Sequence, residues 1–186
     1  NYEQQQSDMI AMLDALQSRH INVVIFQVRP TADALYQSSL EPWSAWLTGK
    51  QGVAASYDPL EFVCQEAHKR GMDVHVWVNP YRVTGGGSRI EDIAPDHIYH
   101  KHPEWFVKYG SQWYFQPCLQ ETRDFLCQVV ADLVTRYDIQ GIHMDDYFYP
   151  YPVSGQDFPD AEHFAKDARG FDNIGDWRRD NVNLAI

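Results

Sequence analysis

The sequence has little cysteine, few basic residues and no long apolar run, and each shortage excludes a class of protein. Three cysteines in 186 residues are too few and too scattered for a disulfide framework or a zinc knuckle. Fifteen Lys and Arg against 26 Asp and Glu give a net charge of −11, which disfavours a nucleic-acid partner because that partner is a polyanion. No apolar run approaches the roughly 20 residues that a membrane helix needs, so no membrane span is expected.

What the chain does contain is enough apolar residues for a core, and many aromatic ones. Hydrophobic residues make up 44% and charged residues 22% of the sequence, a balance typical of one folded domain. The aromatic residues are 6 Trp, 11 Tyr and 9 Phe, and many stand beside Pro in predicted loops. Loop aromatics that a core does not need are candidates for stacking on flat, apolar faces of a ligand.

Helical patterns occur along the whole chain. Ser7 is a possible N-cap for the first helix, and Asp58-Pro59 with Glu61 forms a clear start for the second. The third helix carries the most regular apolar stripe, and Cys127 within it is expected to be a small buried hydrophobe. Two further helices are predicted, one near Asp160 and one at the end of the chain.

Strand patterns alternate with these helices. Residues 21–28 are nearly all apolar, which predicts a strand buried on both faces. Residues 72–80 alternate, and residues 141–147 form a third strand; a hairpin is predicted around Tyr109-Gly110. The alternation of helix and strand implies right-handed crossovers and a parallel α/β sheet. A (β/α)₈ barrel needs about 250 residues, so the chain could supply only part of one. A small doubly wound sheet fits the length but lacks its glycine-rich phosphate fingerprint.

The carboxyl ends of the predicted strands carry polar side chains, and in parallel α/β folds those ends form the active face. These side chains are Gln27, Arg29, Asn79, Tyr81, Arg82, His143, Asp145 and Asp146. Strand alternation places His143 and Asp145 on one face, with Ile142 and Met144 on the other. A carboxylate held ionised by Arg and His neighbours suits attack on an anomeric carbon. Alternatively, Asp145 and Asp146 only cap the segment that follows.

Long strings of residues closely resemble the bacterial glycosyl-hydrolase-like family 10. They are FQVRPTADALYQSSLEPWSAWLTGKQG, YDPLEFVCQEAHKRGMDVHVWVNPYR, GIHMDDYFYPYP and DWRRDNVN. The resemblance implies a (β/α)₈ TIM-barrel hydrolase that acts on bacterial polysaccharide, including cell-wall glycan. It also implies an extracytoplasmic location, in the periplasm, anchored at the outer membrane or at the cell surface. Residues 1–186 would then form a single part-barrel domain with strands two to four, and the other strands would lie outside this chain.

The preferred hypothesis is glycoside hydrolysis by the full-length protein without a cofactor. Some retaining glycosidases place their nucleophilic Asp at the end of strand four in a similar G-x-x-x-D setting, which Gly141 and Asp145 match. Asp145 would be the nucleophile or would stabilise the sugar cation, with Asp146 supporting it. The residues predicted to bind sugar or to orient the carboxylate are Gln27, Arg29, Asn79, Tyr81, Arg82 and His143, and the predicted stacking surfaces are Trp77, Trp113, Tyr147 and Tyr149.

A second carboxylate must act as the general acid. Glu41, Glu104 and Glu121 are present, but the acid is expected in the strands that this chain does not contain. Trp77 and Tyr147 fit ordinary packing equally well.

Two alternatives remain open at this point. One is a metal-dependent hydrolase that uses His143, Asp145 and Asp146 together with His75, although no H-x-H or H-E-x-x-H motif is present. A second histidine cluster lies in a polar loop and consists of His97, His100 and His102. These side chains are expected to be solvated. The other alternative is a carbohydrate-binding protein without turnover, which is also the expected behaviour of these 186 residues alone.

A part-barrel leaves strand edges and apolar surface uncovered, and such surfaces pair with other chains. We therefore predict that the 186 residues alone self-associate or exchange strands, as measured by sedimentation velocity over a range of concentrations. A monodisperse monomer with a cooperative thermal transition would contradict this.

Overall fold

The computed structural model describes residues 2–85, 89–145 and 148–186 and has a mixed α/β fold. The helices are α1 (Tyr2–Gln17), α2 (Ala45–Thr48), α3 (Pro59–His68), α4 (Gln120–Arg136), α5 (Ala161–Lys166) and α6 (Ile174–Asn183). The strands are β1 (Val23–Arg29), β2 (Asp73–Val78), β3 (Phe106–Tyr109), β4 (Gln112–Phe115) and β5 (Gly141–His143). Short 3₁₀ turns cover Ile90–Asp92, Ile98–His100 and Pro103–Trp105. Within the described residues no helix combines the length and the apolar character that crossing a bilayer requires.

A parallel sheet forms the centre of the fold. Its strands lie in the order β1-β2-β5, and both neighbouring pairs are parallel. Helix α3 connects β1 to β2 and helix α4 connects β2 to β5, as expected of crossover connections. Strands β3 and β4 form a separate antiparallel hairpin in the long segment before α4, with Gly110 in its turn at φ 59°. The predicted parallel α/β sheet and the predicted hairpin are therefore confirmed.

The two faces of the sheet differ in burial. On the outer face Val74, Val76 and Val78 are fully buried and join the main core with apolar residues of α3 and α4. On the inner face Val23 and Ile25 are 36% and 53% exposed. The prediction that residues 21–28 are buried on both faces is thus wrong, because helices cover the outer face while these inner side chains remain in contact with solvent.

The helix start at Asp58-Pro59 is confirmed, and so are the helices predicted near Asp160 and at the end of the chain. Asp58 caps α3, since its Oδ1 accepts hydrogen bonds from the amides of Leu60 and Glu61 at 3.0 and 3.1 Å. The N-cap prediction for Ser7 is wrong, because α1 already begins at Tyr2. Cys127 is exposed instead of buried, because it lies about 100° around α4 from the buried Leu126.

Gly141 is the first residue of β5, and a larger residue would not fit there. It pairs in register with His75 of β2, and a Cβ built on Gly141 would lie 2.8 Å from Cγ and Nδ1 of the His75 ring. The imidazole therefore occupies the space above the glycine. Glycine in a strand often marks such a close approach, and here it lets β5 pair closely beside His75.

We predict that Gly141→Ala lowers the free energy of unfolding by about 1–3 kcal/mol, since overpacking forces the His75 ring out of its place. Gly85→Ala is the matched control, because a Cβ there would meet only Thr31 Cγ2 at 3.8 Å. Urea unfolding of both variants measures the difference. In a His75→Ala background the cost of Gly141→Ala should largely disappear, and an unchanged cost would show that the ring is not its cause.

Candidate active site

Side chains from the three parallel strands form a row across the inner face of the sheet. Gln27 of β1 pairs in register with Trp77 of β2, and Trp77 pairs with His143 of β5. Residues paired in this way point to the same face. The rings of Trp77 and His143 meet edge to face with centroids 6.2 Å apart. The structure therefore brings together three of the predicted site residues near the carboxyl edge of the sheet.

Asp145 follows this row at the end of β5. Its Oδ2 lies 3.6 Å from Nε2 of His143, and the two side chains are 47% and 38% exposed. A ligand in solution can thus reach both the carboxylate and the neighbouring imidazole. Asp146 and Tyr147 lie outside the described residues.

Arg29 is also at the carboxyl end of β1, but it is buried, with 1% of its surface exposed. Its Nε and Nη2 bind the Glu41 carboxylate at 2.7 and 2.5 Å, and its Nη1 donates to the carbonyl oxygens of Asn79 and Pro80 at 2.6 and 3.0 Å. Burial opposes its charged form, but Glu41 outweighs that effect and raises the pKa of Arg29. Its geometry supports a role in holding the strand ends together more than direct contact with a sugar.

The other polar residues after β2 are also buried or engaged in contacts within the fold. Asn79 and Tyr81 are 1% and 0% exposed, and within the described ranges Asn79 Oδ1 and the Tyr81 hydroxyl have no hydrogen-bond partner. Burial raises the pKa of Tyr81 above its usual range. Arg82 is half-buried, and its Nε and Nη2 donate to the carbonyl oxygen of Pro30 at 3.2 Å. Arg82 thus joins the segment after β2 to the segment after β1.

Two of the predicted stacking residues lie in other surroundings. Trp113 is half-buried in β4 and packs edge to face on Tyr99 at 5.8 Å. Tyr149 belongs to a second apolar cluster around Phe158, and its hydroxyl accepts a hydrogen bond from Asn181 at 2.9 Å. Burial raises the pKa of Tyr149. Both positions fit packing of the loops.

The three candidate general acids lie in different environments. Glu41 is engaged by Arg29 and is 6% exposed, so it is not available to protonate a leaving group. Glu104 lies 3.2 Å from His102 on the surface. Glu121 is exposed in the first turn of α4, where the helix dipole favours an acid.

The histidines at 97, 100 and 102 do not form a solvated group. His97 is fully buried, its Nδ1 accepts the amide of Tyr99 at 3.0 Å, and burial lowers its pKa to about 4. His100 is exposed, and His102 stacks on Trp105 with ring centroids 4.1 Å apart. Across the part of the chain that the structure describes, no group of three or more His, Cys, Asp or Glu is placed to hold a metal ion.

The sequence analysis did not identify Asp33 as a buried acid, and it named Glu41 only as a possible general acid. Glu41 is the partner of Arg29, and Asp33 is 2% exposed and accepts hydrogen bonds from Thr31 and Gln51 at 3.2 and 3.1 Å. Burial raises the pKa of Asp33. Both stand in a loop without periodicity, so the only available signal was an acid close in sequence to a strand-end Arg.

A family model described as glycosyl hydrolase-like 10 matches residues 1–186. The chain belongs to the glycosyl hydrolase-like 10 family. The resemblance read from the sequence is therefore confirmed.

Named relatives of this glycosyl hydrolase-like 10 chain are longer proteins. Glycosyl hydrolase YngK of Bacillus subtilis is 48% identical over 187 residues, which cover 99% of this chain and 36% of YngK. Glycosyl hydrolase DigH of Escherichia coli K12 is 41% identical over 190 residues, which cover 98% of this chain and 43% of DigH. The chain thus spans less than half the length of these curated relatives.

Solved structures share the fold at low sequence identity. A hypothetical protein from Ruminiclostridium thermocellum superposes with a TM-score of 0.62 at 13% identity, over 95% of this chain and 83% of that one. Alpha-L-fucosidase isoenzyme 2 from Paenibacillus thiaminolyticus gives 0.61 at 15% identity, over 97% and 25%. These likenesses show that the family chain shares its fold with both proteins.

We predict that Glu41→Gln lowers the free energy of unfolding by about 3 kcal/mol or more, because it leaves the buried Arg29 guanidinium without its counter-charge. Glu104→Gln is the control, since its exposed contact with His102 should contribute less than about 1 kcal/mol. Chemical denaturation measures both. Equal midpoints for the two variants would show that the Arg29–Glu41 pair does not stabilise the fold.

Proposed function

We propose that this chain forms strands two to four, with their helices and long loops, of a (β/α)₈-barrel glycoside hydrolase. The parallel order β1-β2-β5 supports the proposal, as do the crossover helices and an inner sheet face that exposes Ile25. In this arrangement β5 is strand four. The glycosyl hydrolase names of the relatives support the reaction class.

The single observation that carries the proposal is the position of Asp145. Its carboxylate stands at the carboxyl end of a parallel strand, half-exposed and 3.6 Å from His143. Active sites of such barrels are built at this edge of the sheet. In glycoside cleavage positive charge develops at the anomeric carbon, and a carboxylate beside it either attacks or stabilises the cation.

His143 lies beside this carboxylate and would approach it more closely when a substrate is bound. The edge-to-face contact with Trp77 limits the rotation of its imidazole, and its Nε2 faces Asp145 Oδ2. Gln27 lies in the same row across the sheet and would reach a sugar hydroxyl. The row and Asp145 together provide a carboxylate, an aromatic surface and an amide that can bind hydroxyl groups.

The general acid belongs to a part of the protein that this chain does not contain. Glu41 is held by Arg29, and cleavage needs a second carboxyl group across the scissile bond, at about 5–9.5 Å depending on the stereochemical outcome. A barrel supplies catalytic residues from several strand ends. The 186 residues alone would therefore bind sugar without hydrolysing it.

The substrate that fits the proposal is a bacterial polysaccharide such as cell-wall glycan. The family description and the names of the relatives support a carbohydrate as the substrate class. A cell-wall substrate places the protein outside the cytoplasmic membrane, in the periplasm or at the cell surface.

We predict that Asp145→Asn in the full-length protein reduces glycan hydrolysis by roughly a thousandfold, equivalent to about 4 kcal/mol of transition-state stabilisation. Asp146→Asn should cost less if that residue only supports Asp145. The matched control is Asp138→Asn, an 82% exposed carboxylate before the opposite end of β5. Turnover is measured on purified cell-wall glycan by the release of reducing ends.

Three outcomes separate the alternatives. Wild-type activity in both Asp145→Asn and Asp146→Asn would place the site elsewhere. Binding of glycan by the wild type without turnover would favour the carbohydrate-binding alternative. Activity that is lost on chelation and restored by a divalent ion would favour the metal-dependent one.

A further inference from the structure

Trp46 is a large aromatic residue that lies almost entirely in solvent. Its side chain belongs to the short helix α2, and the residue is 79% exposed. Trp has the largest apolar surface of any residue and is highly buried on average. A Trp exposed to this extent leaves most of its indole surface available for contact with a ligand.

The segment that carries Trp46 is firmly held. Ser44 caps α2 from the front, accepting the amide of Trp46 at 3.4 Å, and the amide of Gly49 closes the helix on the carbonyl of Ala45 at 2.7 Å. Gly49 adopts φ 85°, a conformation that favours glycine. Gln51 then bonds the buried Asp33 at 3.1 Å. A rigid support means that binding at the ring loses little conformational entropy.

The same segment is attached directly to the end of β1. The amide of Leu35 donates to the carbonyl of Val28 at 2.8 Å, and the amide of Ser44 donates to the carbonyl of Ala34 at 2.8 Å. Glu41, in the same loop, binds Arg29 at the strand end. Trp46 is therefore mounted on the carboxyl edge of the sheet, the edge that also carries Asp145 two strands away.

We propose that Trp46 is a binding platform for a sugar ring of a polysaccharide chain, outside the row that holds the reacting bond. The inference rests on the proposed function for its ligand class. One face of a pyranose ring is lined by C–H groups, and a flat indole buries that face while the hydroxyl groups stay in water. The rest of the same chain would extend along the carboxyl edge of the sheet.

A sugar fits this position better than a protein or a nucleic acid. A stable protein interface buries about 800 Å² on each partner, whereas Trp46 is followed by the half-buried Leu47 and then by Thr48, Gly49 and Lys50, a segment too short to supply such an area. The net charge of −11 opposes a polyanion. Rigid aromatic residues supply contact area at low entropic cost, which suits a flexible glycan.

The test compares Trp46→Ala and Trp46→Phe with the wild-type full-length protein. The probes are purified peptidoglycan sacculi, a soluble β-glucan and a soluble α-glucan, and binding is measured by co-sedimentation or affinity electrophoresis. We expect Trp46→Ala to weaken binding of one polymer by about tenfold and Trp46→Phe to recover most of it. Where the polymer is hydrolysed, KM should rise while kcat stays within about twofold.

Met12→Ala is the control, since it removes an exposed apolar side chain of α1, the helix that precedes the opposite edge of the sheet. Thermal unfolding of all variants should be unchanged, because the Trp46 side chain lies in water. Equal polymer binding by Trp46→Ala and wild type would overturn the inference, as would wild-type protein that binds none of the three polymers. A shift in sedimentation coefficient on Trp46→Ala, without loss of glycan binding, would identify a contact between copies and overturn it too.

The two proposals fail separately. If the wild type binds a polymer through Trp46 but neither it nor Asp145→Asn yields reducing ends, the platform stands and the hydrolase proposal fails. If hydrolysis depends on Asp145 while Trp46→Ala binds and cleaves polymer normally, the hydrolase proposal stands and the platform fails.

Discussion

The buried ion pair between Arg29 and Glu41 is the interaction on which the carboxyl edge of the sheet depends. Arg29 belongs to the end of β1, Glu41 to the loop after it, and the carbonyl groups that Arg29 also binds belong to the end of β2. One guanidinium therefore fixes two strand ends and a long loop relative to each other. A lone charge at this depth would cost several kcal/mol, and the paired carboxylate with the additional hydrogen bonds offsets that cost. Ser44 follows Glu41 by three residues and caps helix α2. The ion pair therefore also helps to position α2.

A second constraint acts one row below the site. His75 fills the space above Gly141, so β5 can pair closely with β2 only because the glycine has no side chain. That pairing brings His143 into register with Trp77. Asp145 follows two residues later, at the carboxyl edge of the sheet. The glycine therefore helps to set the position of the Asp145 carboxylate, four residues further along the chain.

Features that depend on local chemistry were predictable from the sequence, and features that depend on a distant partner were not. Asp58 and Pro59 define their helix start by neighbouring backbone groups alone, and the alternation of Val74 and Val76 reports one buried face. The burial of Arg29 could not be predicted, since its partner Glu41 is twelve residues away in an irregular loop. His97 was expected in solvent for the same reason: its surroundings in sequence are polar, but the loop folds it against Phe106. In the candidate site, strand periodicity predicted that Gln27, Trp77 and His143 lie near the strand ends. The burial of Arg29 and Asn79 could be seen only in the tertiary structure.

In the proposed barrel, the exposed inner face and the lack of a second carboxylate near Asp145 have one physical cause. Ile25 lies in the same register row as His75 and Gly141, one layer below Gln27, Trp77 and His143, so apolar packing and the polar row share a single surface. Whatever covers Ile25 must also approach the side chains at the edge. In a closed barrel the opposite strands do this, burying the apolar layer inside and presenting their own strand ends across the mouth. The chain covers 36% and 43% of its named relatives, which leaves ample sequence in those proteins for such strands. In the proposed barrel, the strands that complete the core would also bring a second carboxylate opposite Asp145. Catalysis would then depend on barrel closure, whereas glycan binding at the loops would not.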